Sequence, residues 1–470
     1  PFMLFLGTGS STGCPKPLCT MTYASSKRYS SSSPPPPSVL TPQMCRVSNA
    51  AILGDNPRKN KDYRNNPSFL IHHYDSKTKS YKNIVIDTGK TFRETALRWF
   101  PRFGIQSLDA LILTHHHMDA AGGLDDVRGF QSILSTGGGG GGEGNGKDKV
   151  GPPKRVPIPI YMSPFCHENL KRQFPWLFPT PGIRMPVQND LQPHYFHQHK
   201  ADDHYRCCCR SEDFKQEDKK EKGRGDDGRR HSSSPTQNVK VFETSTPHSS
   251  STQTTAAVAT TAVGSKAPTV KRDVASFDVT LFEDLTEYTI SSAGEFKFIP
   301  LPIWHGDDLM SHGFAFSLTP SEEGEHHHQQ QEGSLNVVYL SDISRMVPET
   351  LEYVQKQLPP TDILIIDSLL WHKAHPVHYS LDQAVELATK HIRPKQATYL
   401  VGMSCDNFLP HDEMNKHLEE IYGGNTASGT DDDGGNYRPI IQFAYDGQPL
   451  YLPTPSSADK KGGKGGLPSS

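Results

Sequence analysis

Residues 111–128 read LILTHHHMDAAGGLDDVR and combine a strand pattern with a dense group of possible metal ligands. The apolar run 111–113 predicts a short buried strand. Alternate residues of an extended loop face the same side, so His115 and His117 can converge on one ion, and Asp119 can reach the same place. Imidazole and carboxylate are donors that zinc, manganese and iron accept from proteins. The alternative is a polar loop with chance histidines, because the chain contains 23 of them.

Composition favours one main folded domain. Hydrophobic residues make up 34% of the chain and the mean hydropathy is −0.60, with the polarity concentrated in a few biased segments. We predict a single α/β domain over residues 1–453, interrupted by long disordered inserts, and a disordered tail over residues 454–470. The inserts are expected at about residues 25–43, 135–155, 187–275, 319–333 and 423–437.

The charge of the chain gives no reason to expect nucleic-acid or membrane binding. The net charge is −3 with a pI near 6.8, and no run approaches the ~18 apolar residues of a membrane span. The eight cysteines lack the spacing of a disulfide framework, which favours a reducing compartment, and we expect a cytoplasmic protein. The chain begins at Pro1 without Met, which we interpret as an incomplete N-terminus.

Three cysteines near the N-terminus, Cys14, Cys19 and Cys45, form a second candidate metal site. The C-x4-C spacing of the first two is acceptable for a structural zinc. However, Ser48 stands where a C-x-x-C motif would close, and no fourth ligand is evident.

Three later strands also end in candidate ligands. Apolar runs that predict strands are followed by His305, Asp342 and Cys405. An open α/β sheet gathers its site at the carboxyl ends of its strands, so we expect these side chains to lie near His115 and His117. A single histidine is more often structural than a ligand, but four strand ends in succession make chance much less likely.

Three local patterns predict further elements. Ser380 and Gln383 form a capping box that starts a helix just after the segment HPVH. The stretch GLDDVRGFQSIL, residues 123–134, reads as a helix. The stretch IIQFAYDGQPLYL, residues 440–452, reads as a hairpin that turns at its Asp-Gly pair.

These segments, taken in order, resemble the metallo-β-lactamase-fold hydrolases. The matching motifs are LGTGSS, NPSFLI, IDTG, LTHHHMDAAGGLDD, the His305-Gly segment, YLSD, HPVHYSLDQA and LVGM. The GLDD segment is similar to the subgroup that includes phosphoribosyl 1,2-cyclic phosphate phosphodiesterase-like proteins. The resemblance implies a four-layer αββα sandwich with metals along one edge of its two sheets.

The resemblance also implies a ligand set. One metal would be held by His115, His117 and His305, and Asp342 would bridge to a second metal that Asp119 also binds. The expected ion is zinc, with manganese or iron as alternatives, and one or two ions per chain.

Two positions depart from the family pattern. The motif H-x-H-x-D-H has histidine in its sixth place, where this chain has Ala120, and Cys405 aligns with the family's last histidine ligand. Both changes fall on the second metal. A thiolate is a competent zinc ligand, so Asp119, Asp342 and Cys405 could still hold an ion, with His411 as a further candidate. Alternatively, one ion is held tightly and Asp119 is a base that orients the water, which is the interpretation we favour.

The predicted function is hydrolysis of a small phosphodiester, cyclic or linear, by a metal-bound hydroxide. By resemblance, His378 would protonate the leaving alkoxide, and Asp87 would steady the metal-binding loop from behind. A local hydrogen bond at the helix start explains His378 equally well, and His375 is a weaker candidate. The alternatives are a thioester or lactone hydrolase of the same fold and a non-catalytic metal-binding scaffold. A tRNA endonuclease is less favoured because the chain is not basic.

Overall fold

The computed structural model describes residues 1–20, 45–53, 59–134, 154–178, 273–319, 334–406, 408–423 and 440–452. All of them belong to one compact unit formed by residues 1–184 and 271–470. The predicted inserts and the tail lie outside the described residues, except at their margins.

The strands are β1 (Phe2–Gly7), β2 (Ser68–Asp75), β3 (Ser80–Ile86), β4 (Ala110–Ile112), β5 (Ile133–Leu134), β6 (Lys154–Arg155), β7 (Ile158–Met162), β8 (Phe277–Leu281), β9 (Tyr288–Ile290), β10 (Phe296–Trp304), β11 (Met310–Leu318), β12 (Leu335–Leu340), β13 (Arg345–Met346), β14 (Ile363–Asp367), β15 (Ala397–Val401), β16 (Ile440–Phe443) and β17 (Pro449–Tyr451). The α-helices are α1 (Arg46–Leu53), α2 (Phe92–Phe103), α3 (Met118–Ala121), α4 (Pro164–Gln173), α5 (Pro348–Lys356), α6 (Leu381–Glu386) and α7 (His411–Leu418). Short 3₁₀ helices span Leu124–Phe130 and Ser291–Ala293, and π-helical turns span Leu387–Ile392 and Glu419–Gly423.

Two large sheets form the centre of the part of the chain that the structure describes. The first has seven strands in the order β17-β1-β2-β3-β4-β7-β8. The second follows the order β13-β10-β11-β12-β14-β15-β16, with β9 paired to β10. Strands β5 and β6 pair separately.

The alternation of side chains between the two faces of each sheet shows which layer each side chain packs against. In β1, Met3 and Phe5 pack between the two sheets, whereas Leu4 and Leu6 pack against the helices on the outer face of the first sheet. Helices α2 and α4 cover that outer face, and α1, α5, α6 and α7 cover the outer face of the second sheet. The resulting order of layers is helix, sheet, sheet, helix, so the predicted αββα sandwich is confirmed.

Two local predictions were wrong. The stretch 440–452 does not form a hairpin, because β16 joins β15 in the second sheet and β17 joins β1 in the first. Asp446 lies between them and accepts hydrogen bonds from Thr8 and Asn65. The stretch 123–134 is only partly helical, because the 3₁₀ helix ends at Phe130 and the chain continues into β5.

The parallel strands bring the candidate residues to one edge. Strands β3, β4, β7 and β8 run parallel in the first sheet, as do β12, β14, β15 and β16 in the second. The loops at the carboxyl ends of β4, β12 and β14 therefore meet. No helix among the described residues is both long and apolar enough to cross a membrane.

Candidate metal centre

Three histidines from two loops meet at this edge. His115 and His117 follow β4, and His305 follows β10. Their ring centroids lie 4.6 Å apart for His115 and His117, 5.1 Å for His115 and His305, and 5.3 Å for His117 and His305. One nitrogen from each ring lies within 4.8 Å of the others. This spacing suits a single ion bound by three imidazoles.

Hydrogen bonds behind the rings fix which nitrogen each of two histidines offers. His305 Nδ1 donates to the carbonyl of Val377 at 2.8 Å, so its Nε2 carries the lone pair. His115 Nδ1 lies 2.9 Å from Thr114 Oγ1, and that hydroxyl donates to Asp87 Oδ2 at 2.8 Å. His115 Nε2 is buried without a partner in the described part of the chain, as a metal ligand would be.

Asp87 supports this loop through two contacts. Its carboxylate accepts from the backbone N–H of Thr114 at 2.9 Å as well as from the hydroxyl. Asp87 follows β3 directly and has a positive φ of 61°, which turns the chain at the strand end. These contacts hold the start of the His115 loop against the first sheet.

Two buried carboxylates complete the group that we call the metal centre. Asp119, on the short helix α3, places Oδ1 3.9 Å from His115 Nε2. Asp119 and Asp342 each contribute an oxygen to a second group with His115 in which all ligand atoms lie within 4.8 Å. Burial, and then the neighbouring Asp119 carboxylate, raises the pKa of Asp342 well above its usual value. A bound cation would relieve this repulsion, so the residues present fit a divalent ion.

The histidines of the centre are held in the form that binds metal. Burial, followed by repulsion from His378 and His117, lowers the pKa of His305 to about 3. Burial also lowers the pKa of His117, although the nearby Asp119 opposes this effect. Both rings are therefore neutral at pH 7, with a lone pair available to an ion.

His378 lies beside the centre and is held by a carboxylate that the sequence analysis missed. Its Nδ1 lies 2.6 Å from Asp367 Oδ2 and 3.8 Å from Asp342 Oδ1, and its ring centroid lies 4.9 Å from that of His305. Burial opposes protonation, but Asp367, Asp342 and Asp119 outweigh it and raise the pKa of His378 to about 9. Asp367 ends the buried strand β14, so the same strand-end pattern that identified Asp342 could have identified it.

The loop before α6 fixes the position of His378. Ser380 and Gln383 form the predicted capping box, so that prediction is confirmed. His378 stands two residues before the cap and is buried, with its imidazole turned toward Asp367. His375 lies nearby, at a ring separation of 5.4 Å from His378.

Cys405 is placed away from these carboxylates. Strand β15 is followed directly by Gly402, which stands three positions before Cys405. The backbone N–H of Gly402 donates to the carbonyl of Thr8. Cys405 instead lies among other thiols, 3.9 Å from Cys19 by the distance between sulfurs. The expectation that Cys405 joins Asp119 and Asp342 is therefore wrong. His411 is also held elsewhere, with its backbone N–H bound to Asp62.

Gly402 makes room for Asp367. Its φ is +76°, and a Cβ at this position would lie 2.0 Å from Asp367 Oδ1. We expect Gly402→Ala to destabilise the fold by about 2 kcal/mol or more, from backbone strain and displacement of the carboxylate. Thermal unfolding measures the effect. Gly129→Ala is the control because nothing lies within 4 Å of its Cβ position. An equal loss of stability in both variants would contradict the claim that Gly402 is required to make room for Asp367.

Four thiols form a separate group, the thiol cluster of Cys14, Cys19, Cys45 and Cys405. The three sulfur atoms of Cys19, Cys45 and Cys405 all lie within 4.8 Å of one another. A hydrogen bond from the Cys14 thiol is the main cause that lowers the pKa of Cys405 to about 5. Three converging cysteines, one of which is hydrogen-bonded to the Cys14 thiol, offer donors that zinc accepts. Cys405 would thus add a ligand to the N-terminal cysteines.

The number of zinc ions bound at the thiol cluster can be measured separately from the number bound at the metal centre, by removing a thiol ligand. We expect Cys405→Ser to lower the zinc content by about one ion per chain and to lower the melting temperature, because a structural zinc contributes to folding. Elemental analysis and thermal unfolding measure both effects. Cys166→Ala is the control, because Cys166 is a buried free thiol outside the cluster. Unchanged zinc content in Cys405→Ser would rule out a zinc site there.

Comparisons with known proteins agree with the architecture. A model of the beta-lactamase superfamily domain matches residues 82–190. An octanoyltransferase of Porphyromonas gingivalis (strain ATCC BAA-308 / W83) is 34% identical over 125 residues, which are 27% of this chain. The chain spans only 17% of the length of that curated relative.

Three solved structures are similar to this chain at low sequence identity. A diphosphatase of the PhnP family is 20% identical with a TM-score of 0.47, covering 96% of each chain. Zinc-bound PqqB from Methylobacterium extorquens is 10% identical with a TM-score of 0.46, covering 96% of this chain and 100% of its own. The short form of human tRNase Z is 11% identical with a TM-score of 0.41, covering 97% of this chain and 100% of its own.

The two packed sheets and the match of the superfamily-domain model to residues 82–190 define the fold class of this protein. It has the metallo-β-lactamase fold that the sequence predicted, with a group of possible metal ligands at one sheet edge.

Proposed function

We propose that this protein is a metal-dependent phosphodiesterase that acts on a small linear or cyclic phosphodiester. The observation that carries the proposal is the buried pair His378–Asp367 beside the metal centre, with Nδ1 and Oδ2 2.6 Å apart. A buried ion pair with a perturbed pKa beside a metal site is typical of catalytic acids. A binding scaffold has no use for such a pair.

The proposed reaction divides the work among a few groups. A divalent ion, zinc in the first place, would lower the pKa of a bound water to near neutral and would withdraw charge from the phosphoryl oxygens. His115, His117 and His305 would hold that ion, with Asp342 alongside. Asp119 would accept a hydrogen bond from the attacking water. This role is supported by its position beside the expected ion, with Oδ1 3.9 Å from His115 Nε2.

His378 would hold the proton that the leaving oxygen needs. Its Nδ1–H is bound to Asp367, so the proton for transfer sits on Nε2. Asp367 acts on the reaction through His378, by fixing the ring and favouring its charged form. A poor leaving group, such as the alkoxide of a sugar, gains most from this protonation.

We propose that the centre binds one ion tightly. Ala120 offers no ligand, Cys405 lies in the thiol cluster, and Nδ1 of His378 is engaged by Asp367. The second position is left with Asp119 and Asp342, which also face the first ion. His378 lies in a further group with His305 and Asp342, but the nearby carboxylates raise its pKa to about 9 and so favour its protonated form. Two shared carboxylates make a weak site for a second zinc.

A panel of substrates tests the proposal. The zinc-loaded protein is assayed with bis(p-nitrophenyl) phosphate, p-nitrophenyl phosphate, a thioester and a lactone, with and without a chelator. We expect turnover of the diester that the chelator abolishes and zinc restores. Turnover of the thioester or lactone without the diester would favour the other hydrolase class. Ion binding without turnover of any substrate would favour a scaffold.

A further inference from the structure

An aromatic pair, His116 and Phe165, lies beside the metal centre. The His116 ring centroid is 5.0 Å from that of the ligand His117 and 5.5 Å from that of Phe165. Phe165 is 54% exposed. One exposed apolar side chain is ordinary on a protein surface, but this ring is only two ring contacts away from a metal ligand.

The backbone holds Phe165 firmly in this place. It lies in the first turn of α4, where Ser163 caps the helix by accepting a hydrogen bond from the backbone N–H of Cys166. Cys166 and Leu170 anchor the same helix in the core. The exposed ring is therefore presented by a fixed element, and its partner His116 is fixed by the metal ligands on either side of it in sequence.

Met118 is another exposed apolar residue next to a metal-centre histidine in sequence. It is 47% exposed and lies between the ligand His117 and Asp119 in sequence. Ligand sites commonly combine apolar and aromatic surface with a few convergent polar groups. The metal centre supplies the polar groups, and the His116 and Phe165 rings supply the aromatic surface.

We propose that the exposed Phe165 ring, which the His116 ring meets edge to face at an interplanar angle of 76°, is a ring platform, and that the phosphodiester hydrolysed here carries a planar aromatic ring such as a nucleobase. This inference rests on the proposed function, because it places the phosphate at the metal centre. Base–aromatic stacking tolerates different bases, since every base has a π-face. The ribose of a nucleotide separates base from phosphate, and the His116 ring likewise separates Phe165 from the ligand His117.

Two ligands that differ only by the base test the platform. Adenosine 5′-monophosphate and ribose 5-phosphate are titrated into the zinc-loaded full chain by calorimetry, without any turnover. We expect the nucleotide to bind about tenfold more tightly, which corresponds to one base–aromatic stack. In Phe165→Ala the ratio of the two dissociation constants should fall to about one, while Phe165→Tyr should keep it.

The controls separate this inference from the proposed function. Leu97→Ala removes a side chain of similar exposure, 55%, from α2 and should leave the ratio unchanged. Equal affinity of the wild type for both ligands, or an unchanged ratio in Phe165→Ala, overturns the platform while diester hydrolysis stands. Failure of both ligands to bind, together with absence of diester turnover, overturns the platform and the proposed function.

Discussion

Replacing His117 with alanine is expected to remove the ion from the metal centre and to lower diester hydrolysis by about 10³-fold, roughly 4 kcal/mol of transition-state stabilisation. His117 is one of three imidazoles around the expected ion position, and the ring centroids of the other two, His115 and His305, lie 4.6 and 5.3 Å away. Two remaining histidines would bind the ion weakly, so the protein would lose both the activated water and the withdrawal of charge.

Metal content and kinetics together check this prediction. Elemental analysis should show one ion fewer per chain in His117→Ala, while zinc in the thiol cluster remains. His391→Ala is a matched control, because His391 is exposed and belongs to none of the ligand groups among the described residues. Activity that survives in a His117→Ala protein lacking the ion would contradict a metal-dependent reaction.

The second large effect is expected in His378→Gln, and it should depend on the leaving group. A diester with an alkoxide leaving group needs a proton from His378, so its hydrolysis should fall by about 10²-fold or more. The leaving group of a p-nitrophenyl diester is p-nitrophenolate, which needs little protonation because its conjugate phenol is acidic. Hydrolysis of that diester should therefore fall far less. Measuring kcat for both substrates separates loss of the acid from a general loss of structure.

Two further variants sharpen the assignment of this acid. Asp367→Asn should show the same dependence on leaving group in weaker form, because Asp367 acts through His378. His375→Gln should change both rates little, since His375 lies 5.4 Å from His378 by ring centroids and outside the ligand groups. If His378→Gln slowed both substrates equally, His378 would be a structural residue rather than the acid.

Much of the metal centre could be predicted because its ligands follow apolar strands. His115, His305 and Asp342 each stand at a strand end, and parallel strands gather their carboxyl ends at one edge. Asp367 was missed although it is the last residue of β14 and so stands at a strand end as well. Moving a strand boundary by one residue changes whether a side chain is assigned to the strand or to the loop that carries the site.

Cys405 shows where reasoning from sequence stopped. Alignment by motif placed it with the second-metal ligands, but the path of a loop after a strand is set by contacts far away in sequence. Here the backbone of Met403 bridges to Gly9, and the following turn points the Cys405 thiol toward the N-terminal cysteines. No local pattern in residues 402–406 encodes that partner.

The hairpin predicted around Asp446 failed for a similar reason. An Asp-Gly pair between apolar runs favours a tight turn, and Gly447 does have a positive φ of 84°. The flanking strands nevertheless find better partners, β15 in one sheet and β1 in the other. The carboxylate of Asp446 is used to bind Thr8 and Asn65 rather than its own turn.

The thiol cluster has a consequence for the residues between its members. Cys19 and Cys45 stand on either side of residues 21–44, and both meet Cys405. The two residues that flank this stretch are therefore held at one point of the fold. Lengthening or shortening a stretch closed in this way changes the loop-closure entropy by only ~0.6 kcal/mol per doubling. The domain can thus accept variation in length there without moving β1 or the metal centre.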